Sequence, residues 1–88
     1  MKMVGKFDAV IDDFITIAMP EGAEILTVQM QYGDPKVWAL IDTSLPMGER
    51  KFSWIGTGDP FDIAYKKYVG TVQMKVGQRE LVFHLFEI

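Results

Sequence analysis

Polar and apolar positions alternate along most of this chain, and the alternation is clearest between Glu24 and Asp42. Leu26, Val28 and Met30 point one way and Thr27, Gln29 and Gln31 the other, the period of two of a strand with one wet face. Tyr32-Gly33-Asp34-Pro35 carries turn chemistry, and Val37 to Ile41 is almost wholly apolar. The stretch predicts a β-hairpin whose second strand is buried on both faces.

The rest of the chain follows the same period. Lys6 to Ile11 reads as a first short strand, ended by the turn-forming Asp12-Asp13, and Phe14 to Ala18 as a second. Met19-Pro20-Glu21-Gly22-Ala23 is a tight connection into the hairpin, so these strands are expected to lie against it. After a loop at Thr43 to Gly48, Arg50 to Ile55 alternates, with Phe52 and Trp54 on one face and Lys51 and Ser53 on the other. Asp59 suits a helix N-cap and Pro60 a first helical position, which predicts one short helical turn near 60–66. Tyr68 to Val76 alternates again, setting Tyr68, Val72, Met74 and Val76 against Thr71, Gln73 and Lys75. Gly70 inside it marks a bulge or a close backbone approach. Gly77-Gln78 turns the chain into a last strand, Glu80 to Ile88. No stretch sustains a helical period. The expectation is a single all-β, mainly antiparallel domain over residues 1–88, a small β-sandwich or partly open barrel of six to seven short strands.

Composition sharpens this picture. A chain of 88 residues, 49% of them hydrophobic and eleven aromatic, buries only roughly 60–65% of its unfolded surface. So much apolar content predicts self-association. There is no cysteine and one histidine, which removes disulfide frameworks and thiolate or His-rich metal sites. No apolar run reaches the roughly 18 residues of a membrane span, and MKMVGKFDAVIDDF is not a secretory signal. A cytoplasmic location is expected, with no membrane partner. The net charge of −3 argues against nucleic acid, which attracts a basic footprint.

Four groups could carry chemistry. Gly56-Thr57-Gly58-Asp59-Pro60 could offer backbone N–H groups to an anion, with charge from Arg50, Lys66 and Lys67. It lacks the Lys-Ser/Thr of a phosphate-binding loop, and a plain turn also explains it. Thr57, Gly58 and Asp59 with those three cations are the candidate ligand-binding residues. His84, between Phe83 and Leu85 and on one face with Val82 and Phe86, reads as a half-buried, hydrogen-bonded side chain. A proton-transfer role would need an acid or hydroxyl supplied by the fold. Asp8, Asp12 and Asp13 lack the spacing of a calcium loop. Phe52 and Trp54 beside Arg50 and Lys51 read as core or as a stacking surface. If Trp38 and Trp54 do not both fit inside, one of them belongs at a subunit interface.

Three phrases, EGAEILTVQMQYGDPKVWALID, RKFSWIGTGDP and YVGTVQMKVGQRELVFHLFE, together resemble a family of short bacteriophage and prophage proteins, a domain of unknown function. The resemblance runs from about Phe14 to Glu87. Its sharpest marks are Trp38-Ala39-Leu40, Gly56-Thr57-Gly58 and Val82-Phe83-His84. The family pattern usually has His where this chain has Asp59. The resemblance implies a phage or prophage origin, hence the host cytoplasm, and assigns no catalytic residue.

The resulting expectation is a non-enzymatic, oligomeric accessory protein without cofactor or metal. It would engage a host protein or sequester a small anionic metabolite. A virion-associated or assembly role is the alternative, and an enzyme built on His84 a third reading.

Overall fold

Tyr32 and Gly33 both take positive φ, 51° and 83°, as a two-residue type I′ turn requires. They join β3 (Glu24–Gln31) to β4 (Asp34–Asp42), the expected central hairpin. The computed structural model describes residues 1–88. Five further strands complete it: β1 (Lys2–Asp8), β2 (Phe14–Pro20), β5 (Met47–Gly56), β6 (Lys67–Val76) and β7 (Arg79–Glu87).

The strands form two antiparallel sheets. Sheet A has the order β1-β4-β3 and sheet B the order β2-β5-β7-β6. Their inner faces meet as a sandwich around one apolar cluster in which Met19, Ile25, Val37, Phe52 and Leu85 are fully buried. Burying each such side chain contributes roughly 1.5–3 kcal/mol.

Local chemistry explains most of the joins. Gly77, at φ 62°, opens a two-residue turn that pairs Val76 with Arg79. Gly70 meets both expectations for it. The β6 register shifts between Tyr68 and Gly70, and a Cβ on Gly70 would lie 2.9 Å from Val28 Cγ1 on the facing sheet. The missing side chain lets β6 close against β3.

Several expectations need correction. There is no helical turn near 60–66: Pro60 to Tyr65 has no regular structure. Phe61 and Tyr65 pack instead on Phe86, at centroid distances of 4.8 and 5.0 Å, and six residues are too few to repay helix nucleation without packing support. The first strand is Lys2–Asp8, not Lys6–Ile11, because β1 follows β4 in unbroken register from Lys2↔Asp42 to Asp8↔Lys36. Of the first two strands only β1 lies beside the hairpin; β2 pairs with β5 in the opposite sheet.

A bulge between Ile25 and Thr27 turns Ile25 and Val28 inward together and leaves Leu26 43% exposed. The bulge at Val69 likewise sets Tyr68 beside Thr71 rather than Val72. Strand β4 is not buried on both faces. Val37, Ala39 and Ile41 are in the core, while Trp38 is half-buried and Leu40 is 38% exposed. Its outer side carries Trp38 and Leu40 between Lys36 and Asp42, and no strand packs over it.

Candidate functional site

The side chains proposed for an anion site are not brought together. Arg50 and Thr57 lie seven residues apart along β5 and its turn, about 24 Å at the usual strand rise. Arg50 Nε and Nη2 donate to the Glu87 carboxylate at 2.5 and 3.1 Å, and Nη1 donates to the Ala23 carbonyl at 2.7 Å. Lys67 Nζ donates to the Ile25 carbonyl. Two of the three candidate cations therefore clamp β5, β6 and β7 to the start of β3. Lys66 is exposed, and its amide donates to the Glu87 carbonyl at 2.7 Å.

Thr57, Gly58 and Asp59 form a turn at the far end, closed by the Asp59 amide on the Gly56 carbonyl at 3.1 Å. Asp59 remains exposed. The geometric reading of this segment suffices.

The two tryptophans separate cleanly. Trp54 is 4% exposed and meets Phe83 edge-on at 6.5 Å, so it is core and not interface. Its Nε1 has no hydrogen-bond partner. Trp38 lies on the outer face of sheet A.

The early acids serve the fold. Asp8 pairs with Lys36, whose hydrogen bond and charge hold the Asp8 carboxyl below its ordinary range. The Asp13 carbonyl accepts from Ser53 Oγ and the Trp54 amide, which fixes the loop before β2 on β5. No three acids or histidines converge on one metal position.

A second group does converge, on the outer face of sheet B. His84 Nε2 lies 2.7 Å from Thr57 Oγ1, and Nδ1 lies 2.8 Å from Thr71 Oγ1. Thr71 Oγ1 is also hydrogen-bonded to the Tyr68 hydroxyl. Each ring nitrogen has one threonine hydroxyl as its hydrogen-bond partner. The row Thr57–His84–Thr71–Tyr68 thus holds the ring in place with hydroxyls alone. Both partners of the imidazole are hydroxyls, and no carboxylate supports a general base.

Thr71 and Tyr68 escaped the sequence reading, yet a signal existed for Thr71. Counting back from the Gly77-Gln78 turn in strict register places Thr71 opposite His84. The bulge that brings Tyr68 alongside had no comparable mark.

Beside the row stands an aromatic cluster. Phe61, Tyr65 and Tyr68 surround Phe86 at 4.8, 5.0 and 5.3 Å between ring centroids. Three of the four are exposed by 42%, 53% and 49% respectively. The chain from 57 to 66 folds back over sheet B to present Phe61 and Tyr65. A recess of about 230 Å³ lined in part by Phe14, Ile55 and Ile63 adjoins it.

A larger cavity, about 570 Å³, opens between Val10, Ile11, Pro35, Met74, Leu81 and Phe83. Asp8, Asp34 and Lys36 form its polar part, so its charge does not favour an anion.

Residues 1–88 match a family described as a domain of unknown function, DUF7352. The chain belongs to that family. No curated protein and no solved structure matches it. The match covers all seven strands, so the polar row, the aromatic cluster and the cavity all lie within the family domain.

Proposed function

We propose that the protein is a non-enzymatic binding protein that self-associates and engages another protein through the outer face of sheet B. The observation that carries this is the Phe61–Tyr65–Tyr68–Phe86 cluster. Exposed, mutually packed aromatics with a hydrogen-bonding margin are the chemistry of interface anchors. The fixed His84 row supplies that margin. The anion-sequestering version has less support, since Arg50 and Lys67 are engaged within the fold. The resemblance to short phage and prophage proteins favours a host protein in the cytoplasm as the partner. A virion-associated or assembly role is the second reading, favoured by the uncovered outer face of sheet A.

The test compares immobilised wild type with Phe61→Ser/Tyr65→Ser, using bacterial lysate and purified phage particles. A protein retained in stoichiometric amount by the wild type and lost by the variant supports the reading. Equal retention by both would remove the aromatic face from it, and presence in washed particles would favour the assembly role.

A further inference from the structure

We infer that the outer face of sheet A docks on the same face of a second copy, in a two-fold arrangement set by a self-complementary row of side chains. This deepens the binding-protein reading and rests on its self-association.

The row follows from register. Along the outer side of β4 the residues are Lys36, Trp38, Leu40 and Asp42, that is, cation, two apolar groups, anion. Alongside on β1 stand Asp8, Lys6, Val4 and Lys2, paired to them in that order. Val4 is 54% exposed and Leu40 38%, and the bulged Leu26 adds a third apolar side chain at 43%. Lys6 reaches across β4 to Gln31 at 2.8 Å, so its stem covers part of Trp38's surroundings while its charge stays at the edge.

Consider a two-fold axis lying in the interface, perpendicular to the strands and level with the Gly5↔Ala39 pair. It sets Trp38 against the partner's Leu40 at the centre. At the ends it sets Lys36 against the partner's Asp42, and Asp8 against the partner's Lys2. The charges at the two ends meet their opposites, Lys6 faces the partner's Val4, and each contact occurs twice. An axis parallel to the strands would instead oppose Asp42 to the partner's Asp42. The charge order therefore selects one of the two face-to-face arrangements.

Area limits how many contacts the pair can make. Three strands of about seven residues cover roughly 14 by 24 Å, and side-chain relief raises this to roughly 500–700 Å² buried per partner, at the low end for a specific interface. The expected dimer is in the micromolar range.

Sedimentation equilibrium of the whole chain tests this. Wild type should dimerise at micromolar concentration, and Leu40→Arg should weaken it about hundredfold. Lys36→Glu and Asp42→Lys should each weaken it about tenfold, because each sets like charges together twice. An equimolar mixture of those two variants should restore dimers to within about threefold of wild type, since all the facing pairs then have opposite sign. Local damage to either variant would not be repaired by mixing, so this arm stands even if Leu40→Arg fails to fold. A wild-type monomer at about 100 µM, or no recovery on mixing, overturns the inference. A monomer that still captures its partner through Phe61 and Tyr65 would remove self-association from the function above and leave its partner-binding part standing.

Discussion

Gly70 and Val28 meet across the two sheets with no room for a side chain between them: a Cβ on Gly70 would sit 2.9 Å from Val28 Cγ1 and 3.6 Å from its carbonyl oxygen. Gly70→Ala should therefore cost about 1–3 kcal/mol through overpacking. Removing the obstructing methyls with Val28→Ala should return part of that loss, so the double variant should lose less than the two singles combined. Urea denaturation of the four proteins checks this, and strict additivity would show that the contact is not what excludes a side chain.

Arg50 is a structural residue. Its bonds to Glu87 and Ala23 bind β5 to β7 and to the chain entering β3, and the Glu87 side chain is only 7% exposed. Arg50→Ala should destabilise the fold by about 3 kcal/mol, because an acid would be left without its partner. Lys51→Ala, one residue along and exposed, should change stability by less than about 0.5 kcal/mol. Equal midpoints for the two variants in denaturant would contradict this assignment.

Asp42 makes stability depend on acid. Hydrogen bonds from the Ser44 hydroxyl and amide, with a smaller contribution from the N-terminal ammonium, lower its carboxyl from 3.8 to about 2. A depressed folded value means the ionised form favours the fold. Its contribution is complete above the unfolded value of 3.8 and disappears as the pH falls through about 2. The stability difference between wild type and Asp42→Asn should be constant from pH 7 to about 5 and shrink between about 4 and 2. Chemical denaturation across that range gives the curve; a difference that persists unchanged at pH 2 would exclude this role.

Tyr32 is held at φ 51° and is 98% exposed, so its ring contributes little that offsets the strained backbone. Tyr32→Asn should stabilise the protein by roughly 0.5–1 kcal/mol, since asparagine accepts this conformation more readily. Thermal unfolding should show a higher midpoint. A lower one would mean that the tyrosine ring makes a contact of its own in solution.

Period-two patterning made the all-β fold, the central hairpin, the Gly77 turn and the Gly70 irregularity legible in the sequence. What escaped it were features that break the period by one residue. The bulges at Leu26 and Val69 exchange faces on part of a strand, and neither residue type announces a bulge. The helical turn failed for another reason. Asp59-Pro60 is a sound local signal, but Phe61 and Tyr65 gain more from Phe86 than a six-residue helix could supply. At the site, Thr57 and His84 were both singled out but only the fold joins them. Arg50 and Lys67 looked like free cations because their acceptors, Glu87 and the Ala23 and Ile25 carbonyls, lie 27 or more residues away.

The strand order of sheet B has a consequence for how the protein is made. Strand β7 lies between β5 and β6, although it follows both in sequence. All of sheet A has emerged once Asp42 is added, but β5 has only β2 as a neighbour until residues 79–87 appear. At roughly 5–20 residues per second, the backbone of the Phe52–Trp54 stretch waits about two to seven seconds with one edge unpaired. During translation this half-built sheet is the segment a chaperone would find, and slowing the ribosome after Gly56 would prolong its exposure.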